Sequence, residues 1–455
     1  MTQRPMSRRS LLKNAGITAA TAGTAMAVGP SALATKSPYF FTRRQTTGTI
    51  RVIMIADPWV DTLTTLGADY EAATGIKVEV ESFPYDQTHQ REILLGTQQS
   101  DSSDVICLDS PWVGEFAEAG IVEDLKPRVD ASPDLMWDDF IPSYKAVSDW
   151  NGTTVGVPFA PYYVLTHYRK DLLDAEGIAA PANLDEWKTI ARTFTNNAKY
   201  PGISGVVMNN ARGAPVGQAW FEYLFNVGGK PFESAFPGSP DAYSNVTPLI
   251  NSPEGLMVAD LFMEMLQYEP AGALNMAWDE RAQAFASGTA ALMSEWSART
   301  PLLVDPNRSQ IADKFATTTF PALPGLTAVP PLGGWVLGIN AYSANKDAAW
   351  EFIKWVSTGE PHKKFITLGG PPARLSELAD ASLVEQFPWF TTIAASAETA
   401  YPDCRPRIPE SFQVIDTIGN ALSEALAGSI STSDALNRAN DDVRTLLEQS
   451  GYSVS

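Results

Sequence analysis

The sequence predicts an α/β protein with two or three domains and a largely parallel sheet. Short apolar segments alternate with amphipathic ones along most of the chain, which is the pattern of repeated strand–helix units. The length of 455 residues exceeds what a single hydrophobic core usually supports. With 44% apolar and 10% aromatic residues, the chain is predicted to be folded rather than disordered.

The first third of the chain predicts three strand–helix units followed by a hairpin. Apolar strands are expected at residues 49–57 and 105–108, and Gly75 is the expected C-terminal stop of the first helix. Asn151-Gly152 lies between two β-prone segments and therefore predicts a tight hairpin turn.

The rest of the chain also predicts alternating strands and helices. Asn183 is the expected N-cap of one helix, and residues 434–449 predict a final helix. Residues 288–296, GTAALMSEW, predict a turn and a buried strand that ends on Glu295 and Trp296. Ligands bind at the carboxyl ends of strands in parallel sheets, so this pair either contacts a ligand or simply ends the strand and covers the core.

The N-terminus predicts an export signal followed by a tether. Residues 1–34 contain the pair Arg8-Arg9, a weakly apolar stretch and a small-residue cleavage pattern, which predicts twin-arginine export with cleavage after Ala34. Residues 35–47 read as a tether. The expected location is the periplasm, and an uncleaved N-terminal anchor is the alternative.

Charge and composition exclude several classes of function. A net charge of −19 argues against binding to nucleic acid or to an anionic membrane surface. Cys107 and Cys404 are the only cysteines, too few for a disulfide framework or a cysteine-rich metal site. Two free thiols are favoured, although a bond between them stays open. The three histidines lack metal-ligand spacing, so neither a metal nor a cofactor is expected.

Five segments in order resemble the extracellular solute-binding proteins that deliver sugars to ABC importers, of the maltose-binding-protein type. They are YEAATGIKVEVE, DVICLDSPWVGEFAEAGIVEDL, YRKDLLDAEGIAAPANLDEW, AQAFASGTAALMSEWSA and GGWVLGINAYSANKDAAWEFIKW. The resemblance spans nearly the whole chain after the signal. It implies a two-lobed periplasmic binding protein fold with a hinge and a ligand cleft between the lobes.

The resemblance also implies how the chain is divided between the lobes. Residues 48–160 and 325–356 are expected to form the first α/β lobe. Residues 161–324 and 357–455 are expected to form the second lobe, which includes the C-terminal helices.

A sugar site needs hydrogen-bonding groups for hydroxyls and aromatic faces for the apolar C–H surface. Such pairs occur here where strands are predicted to end at the cleft, and the late loop GGPPAR resembles one that brings an arginine into the cleft. The expected ligand-binding residues, for each of which simple packing is the alternative, are Asp57, Trp59, Asp109, Trp112, Tyr162, Glu295, Trp296, Trp335 and Arg374. The loop 208–220, which contains Arg212 and Gln218, matches no family pattern. Because this loop is expected to help select the sugar, the identity of the sugar stays open. The other tryptophans, including Trp278, are expected to pack on helix faces.

The function expected from this resemblance is capture of a mono- or oligosaccharide or polyol by a monomer, and delivery to a membrane ABC permease without catalysis. The alternatives are a binding protein for a non-sugar solute such as a polyamine or peptide, and a glycoside-processing enzyme. None of the common hydrolase, zinc-protease, phosphate-loop or dinucleotide motifs is found in the sequence.

The export signal yields the first testable prediction. Replacing Arg8 and Arg9 together with lysine is expected to leave the precursor in the cytoplasm, because the twin-arginine pathway reads the arginine pair itself. Cell fractionation and the size of the product measure this. Normal export and cleavage of the double-lysine protein would contradict the assignment.

Overall fold

The computed structural model describes residues 48–239 and 241–454. The predicted export signal and tether lie outside these residues. Within the described ranges, no helix is both long and apolar enough to cross a membrane.

The described chain alternates between strands and helices. The strands are β1 (Thr49–Ile55), β2 (Lys77–Phe83), β3 (Val105–Asp109), β4 (Asp149–Trp150), β5 (Thr153–Thr154), β6 (Val157–Arg169), β7 (Ser204–Val207), β8 (Ala290–Trp296), β9 (Phe315–Thr318) and β10 (Leu332–Ile339). The helices are α1 (Val60–Thr74), α2 (Tyr85–Gln98), α3 (Val113–Glu118), α4 (Lys126–Asp130), α5 (Pro142–Val147), α6 (Lys170–Glu176), α7 (Leu184–Phe194), α8 (Ala214–Leu224), α9 (Pro253–Met265), α10 (Trp278–Ala286), α11 (Thr300–Val304), α12 (Lys346–Val356), α13 (Gly359–Thr367), α14 (Leu375–Leu378), α15 (Ala381–Gln386), α16 (Phe390–Thr399), α17 (Ser411–Leu426) and α18 (Thr432–Gln449).

The main sheet has the strand order β2-β1-β3-β10-β6-β8-β7, with β9 also paired to β6. β1 runs parallel to β2 and β3, and β7 runs parallel to β8. In the centre, β10 and β6 run antiparallel to their neighbours. The expectation of a largely parallel sheet is therefore wrong there, because these two strands bring the chain back through the sheet in the opposite direction instead of belonging to strand–helix–strand units.

Strand β6 connects the two halves of the sheet. Residues 157–163 pair with β10, and residues 164–169 pair with β8 and β9. Pro161 lies opposite Gly334, whose φ of +106° is strained for any residue with a side chain. The β6–β10 register shifts directly after this point, between Trp335 and Val336.

Helices cover both halves of the sheet and make the protein a two-lobed α/β fold. Helices α1 and α2 pack on β1 and β2, while α7 and α10 pack on β7 and β8. At the C-terminus, α17 packs against α8 and α18. Helix α13 contacts α1, although the sequence assigned residues after 356 to the second lobe. The proposed lobe boundaries stay a prediction.

Several local predictions are confirmed. The Asn183 side chain accepts a hydrogen bond from Glu186 N at the start of α7, and Gly75 ends α1 with φ of +79°. Asn151 and Gly152 both have positive φ in the β4–β5 hairpin turn. Cys107 and Cys404 are buried free thiols.

Helices α8 and α17 meet through glycines, which gives a prediction about stability. A Cβ atom at Gly419 would lie 2.0 Å from the carbonyl oxygen of Gly213, so Gly419→Ala must push the helices apart. Overpacking of this kind costs about 1–3 kcal/mol of unfolding free energy, which urea denaturation measures. Gly48→Ala is the control, because a Cβ there has no neighbour within 4 Å. Equal stability of the two variants would contradict the close packing.

Candidate functional site

The ends of strands from both halves meet at one place. Strand β1 stops two residues before Asp57, and β3 ends on Asp109. The register of β10 against β3 places Trp335 opposite Asp109. The register of β10 against β6 places Gly333 opposite Tyr162. Sheet register therefore brings together residues that are far apart in sequence.

Asp57 is the centre of a first group of hydrogen bonds. Its Oδ2 accepts from the Tyr162 hydroxyl at 2.6 Å and from Trp335 Nε1 at 3.0 Å. Its Oδ1 accepts from Arg299 Nη2 at 3.4 Å. Trp59 Nε1 donates to the Tyr162 hydroxyl. Trp59, Tyr162 and Trp335 thus surround Asp57. Arg299 supplies a counter-charge that it shares with Asp279, to which it is bound at 3.0 Å.

Asp109 is the centre of a second group. Arg405 binds it with both terminal nitrogens, Nη1 to Oδ2 at 2.9 Å and Nη2 to Oδ1 at 2.8 Å. The Tyr85 hydroxyl donates to Oδ2 at 2.8 Å. Gln218 bridges these partners, because its Oε1 accepts from Arg405 at 3.2 Å and its Nε2 donates to Tyr85 at 3.3 Å.

Aromatic rings connect the two groups. Trp112 and Trp335 meet edge to face with their ring centroids 5.4 Å apart. Tyr85 contacts both of these rings, and also Trp278, which the sequence assigned to helix packing. The Arg405 guanidinium lies 5.3 Å from the ring centroid of Trp296. The site therefore combines paired charges with flat apolar faces.

A glycine makes room for these contacts. A Cβ atom at Gly333 would lie 2.6 Å from Arg405 Nη2 and 2.9 Å from the Trp296 ring. The backbone of β10 can lie against the guanidinium and the indole only because position 333 has no side chain. Gly333 is thus explained by the site, whereas Gly334 is required by the sheet, because a Cβ there would lie 2.1 Å from the carbonyl oxygen of Ala160 on β6.

Glu295 occupies the predicted strand end, but its carboxylate is already bound within the protein. Arg281 Nε and Nη2 each donate to it at 2.9 Å, and Trp296 N donates to Oε1 at 2.7 Å. The side chains of Glu295 and Arg281 are fully or almost fully buried.

Arg374 lies apart from these groups. Its guanidinium donates to the backbone carbonyls of Leu135 at 3.0 Å and Ser357 at 2.6 Å, and it lies over the Phe140 ring at 4.0 Å. The structure brings the other eight predicted residues into the two groups or next to them, and it does not bring Arg374 there. As no ligand contact has been tested for any of the nine, the predicted site stays a prediction.

Three carboxylate–guanidinium pairs thus dominate the electrostatics: Asp57 with Arg299, Asp109 with Arg405 and Glu295 with Arg281. Burial raises the pKa of the Tyr162 hydroxyl well above its usual value, and the adjacent Asp57 adds to the effect. Burial and Asp109 likewise raise the pKa of Tyr85. Both phenols therefore stay protonated and donate to the carboxylates at neutral pH.

Some buried polar atoms in or beside the two groups have no hydrogen-bond partner within the described residues. Trp112 Nε1 and Arg405 Nε are donors, the Tyr144 hydroxyl can donate or accept, and both carboxylate oxygens of Glu222 are acceptors. Unpaired buried groups of this kind cost about 1–3 kcal/mol each, so they favour a bound molecule that offers both donors and acceptors.

Sequence reasoning missed Tyr85, Arg299 and Arg405. Tyr85 follows the end of β2, so the rule applied to β1 and β3 would have found it. Arg299 lies three residues after Trp296 in the loop that follows β8. Arg405 lies in an irregular segment 296 residues from Asp109, and no local pattern marks it. Gln218, which the sequence placed in an unmatched loop, lies on α8 and joins the Asp109 group.

The described residues contain no cluster of three or more histidine, cysteine, aspartate or glutamate side chains that could hold a metal ion. The carboxylates of Asp57, Asp109 and Glu295 instead bind arginine side chains. A buried site between two α/β lobes, with paired charges and aromatic faces, is typical of proteins that bind a small polar molecule.

Comparison with known proteins agrees with that class. Residues 56–361 match the bacterial extracellular solute-binding protein family, and the chain belongs to this family. A solute-binding protein from Agrobacterium radiobacter, solved in complex with ribitol, is similar with a TM-score of 0.82 and 29% identity, over 88% of this chain and 98% of that one. It confirms the two-lobed fold.

Two curated relatives have different named ligands. A mannitol-binding protein from Pseudomonas aeruginosa is 25% identical over 72% of this chain and 77% of its own length. A probable amino-acid ABC transporter periplasmic-binding protein from Sinorhizobium fredii is 25% identical over 89% of this chain and 90% of its own length. Both are named as binding proteins.

The Asp109–Arg405 pair yields a prediction. Arg405→Met leaves Asp109 buried without its counter-charge, which typically costs about 3–5 kcal/mol of unfolding free energy. Adding Asp109→Asn is expected to restore part of the loss, because it removes the uncompensated charge. Urea denaturation of both variants measures this.

Arg438→Met is the control for that prediction, because Arg438 pairs with Glu424 on the surface and such pairs contribute about 1 kcal/mol or less. A loss at Arg405 no larger than the loss at Arg438 would contradict a buried pair that depends on both partners.

Proposed function

We propose that this protein binds a sugar or sugar alcohol between its lobes and delivers it to the permease of an ABC importer. The protein is proposed to act in the periplasm as a monomer, without catalysis, after twin-arginine export and cleavage behind Ala34. Membership in an extracellular solute-binding family supports an exported location.

The observation that carries the proposal is the pairing of charge in the site. Each of Arg281, Arg299 and Arg405 is bound to a carboxylate, so the site offers no free guanidinium for an anionic ligand. A neutral ligand with many hydroxyl groups suits such a site, because a hydroxyl both donates and accepts and its carbon skeleton can lie on an aromatic ring.

The proposed ligand contacts come from both hydrogen-bonded groups. The residues proposed to contact the ligand directly are Asp57, Trp59, Tyr85, Asp109, Trp112, Tyr162, Trp296, Trp335 and Arg405. Glu295 is proposed to act through Arg281, and Arg374 by fixing the backbone at Leu135 and Ser357. The relatives that carry ribitol or are named for mannitol support a sugar alcohol as the first ligand to test.

Ligand binding is tested by thermal unfolding in the presence of ribitol, D-mannitol, maltose, putrescine and free amino acids. A ligand at about 100 times its dissociation constant adds about 2.7 kcal/mol to the stability of the native state. For lobes of this size this raises the melting temperature by about 5–10 °C. A shift with a sugar or polyol is expected, and a shift only with putrescine or an amino acid would contradict the proposal.

A matched pair of tryptophan variants locates the binding site in the same assay. Trp335→Ala removes the indole that donates to Asp57 and is expected to weaken binding by about 1–3 kcal/mol in calorimetry. Trp187→Ala removes a fully buried indole from α7 and is expected to cost about 3–5 kcal/mol of stability without changing affinity. Unchanged affinity in Trp335→Ala would place the ligand elsewhere.

A further inference from the structure

Glu222 is a carboxylate next to the site with no partner of its own. The residue is 2% exposed, and neither carboxylate oxygen accepts a hydrogen bond from the rest of the described chain. Every other acid discussed at the site binds a guanidinium. A buried acid of this kind is costly unless something compensates it.

The position of Glu222 on α8 directs it toward the site. It lies one turn after Gln218, and residues four apart share a helix face. Gln218 already contacts both Arg405 and Tyr85. The same face of α8 therefore carries one residue of the Asp109 group and, one turn further on, the unpartnered carboxylate.

The charged groups that face Glu222 come from three directions. Arg281 on α10 and Arg405 before α17 act to lower its pKa, whereas Glu295 on β8 acts to raise it. The Tyr223 phenol on α8 interacts with it as well. Burial is the largest effect, and the pKa of Glu222 rises to about 7.

We propose that Glu222 is a ligand-binding residue whose two carboxylate oxygens accept hydrogen bonds from two neighbouring hydroxyl groups of the bound sugar or polyol. The inference rests on the proposed function and narrows it to ligands that carry a pair of adjacent free hydroxyls. Two oxygens on one carboxylate match two such donors, and bonds to an ionised acceptor are the stronger ones.

This role implies a pH dependence with a defined sign. Hydroxyl donors stabilise the ionised carboxylate, so the bound ligand lowers the pKa of Glu222 and binding releases a proton near neutral pH. Affinity is therefore lower at pH 5.5, where Glu222 is protonated, and higher at pH 8, where it is ionised.

The test is calorimetry of ribitol and D-mannitol binding at pH 5.5, 7 and 8, in buffers with different ionisation enthalpies. The full mature protein is expected to release a proton at pH 7. Glu222→Gln is expected to bind about ten- to a hundredfold more weakly at pH 8, with no proton release and little pH dependence. Its melting temperature without ligand is expected to stay equal or to rise, since no hydrogen bond within the protein is lost and a buried charge is removed. A merely structural role would lower the melting temperature.

Glu269→Gln is the matched control. Burial also raises the pKa of Glu269 to about 7, but its carboxylate accepts from Asn210 Nδ2 and Met208 N. This variant is expected to lose stability and to keep the pH dependence of binding. If the pH dependence disappears in Glu269→Gln and persists in Glu222→Gln, the proposal is wrong.

The remaining outcomes separate the two proposals. If both polyols bind the unmodified protein and Glu222→Gln binds them equally well at each pH, the role of Glu222 is refuted and the sugar-binding function stands. If no sugar or polyol binds the unmodified protein, the proposed function fails and the role of Glu222 fails with it.

Discussion

The need to neutralise buried carboxylates is the constraint on which the site depends. Strand ends carry Asp57, Asp109 and Glu295 into a region with little water, where an unpaired charge is far too costly to keep. Each acid is matched by an arginine from another part of the chain. These pairs hold loops and helices from distant segments against the strand ends. The order of the cleft and the stability of the fold thus rest on the same contacts.

The local elements of the fold could be predicted because their signals are local. A glycine after α1, an Asn-Gly turn and the asparagine cap of α7 each act within a few residues. The antiparallel centre of the sheet could not be predicted from strand–helix alternation, because pairing direction depends on where distant strands return. The family resemblance supplied the two lobes, which local patterns could not.

Some residues of the candidate site could likewise be predicted from local sequence, and others could not. The strand-end rule located Asp57 and Asp109, the family resemblance added Trp335 at the opening of the return segment, and the structure brings the three together. The rule also located Glu295, yet a position at a strand end does not say which atom its carboxylate binds. Arg405 has no signal at all, since its role exists only once Asp109 lies beside it. Partners of a buried charge are set by tertiary packing and not by neighbours in sequence.

The paired charges also separate the competing ligand classes. An amino acid needs a cation for its carboxylate, and the arginines of the site are already bound to acids. A polyamine needs several free acids, and Glu222 is the one acid of this region that lacks a partner within the described chain. A glycosidase needs two free carboxyl groups on either side of the bond, whereas both oxygens of Asp109 are bound by Arg405. A neutral polyhydroxy ligand makes none of these demands.

Pro161 in the middle of β6 has a mechanical consequence. Proline cannot donate a backbone hydrogen bond to the neighbouring strand. Its partner Gly334 has the widest range of backbone conformations of any residue. The pairing of β6 with β10 is therefore most easily deformed at this point. Tyr162 directly follows Pro161, and Trp335 directly follows Gly334. A rotation about this residue pair would therefore displace their side chains less than those of more distant residues. Under the proposed function, a turn of the lobes about Pro161 and Gly334 would leave these two rings nearly in place, and selection between ligands would fall to residues farther from this point.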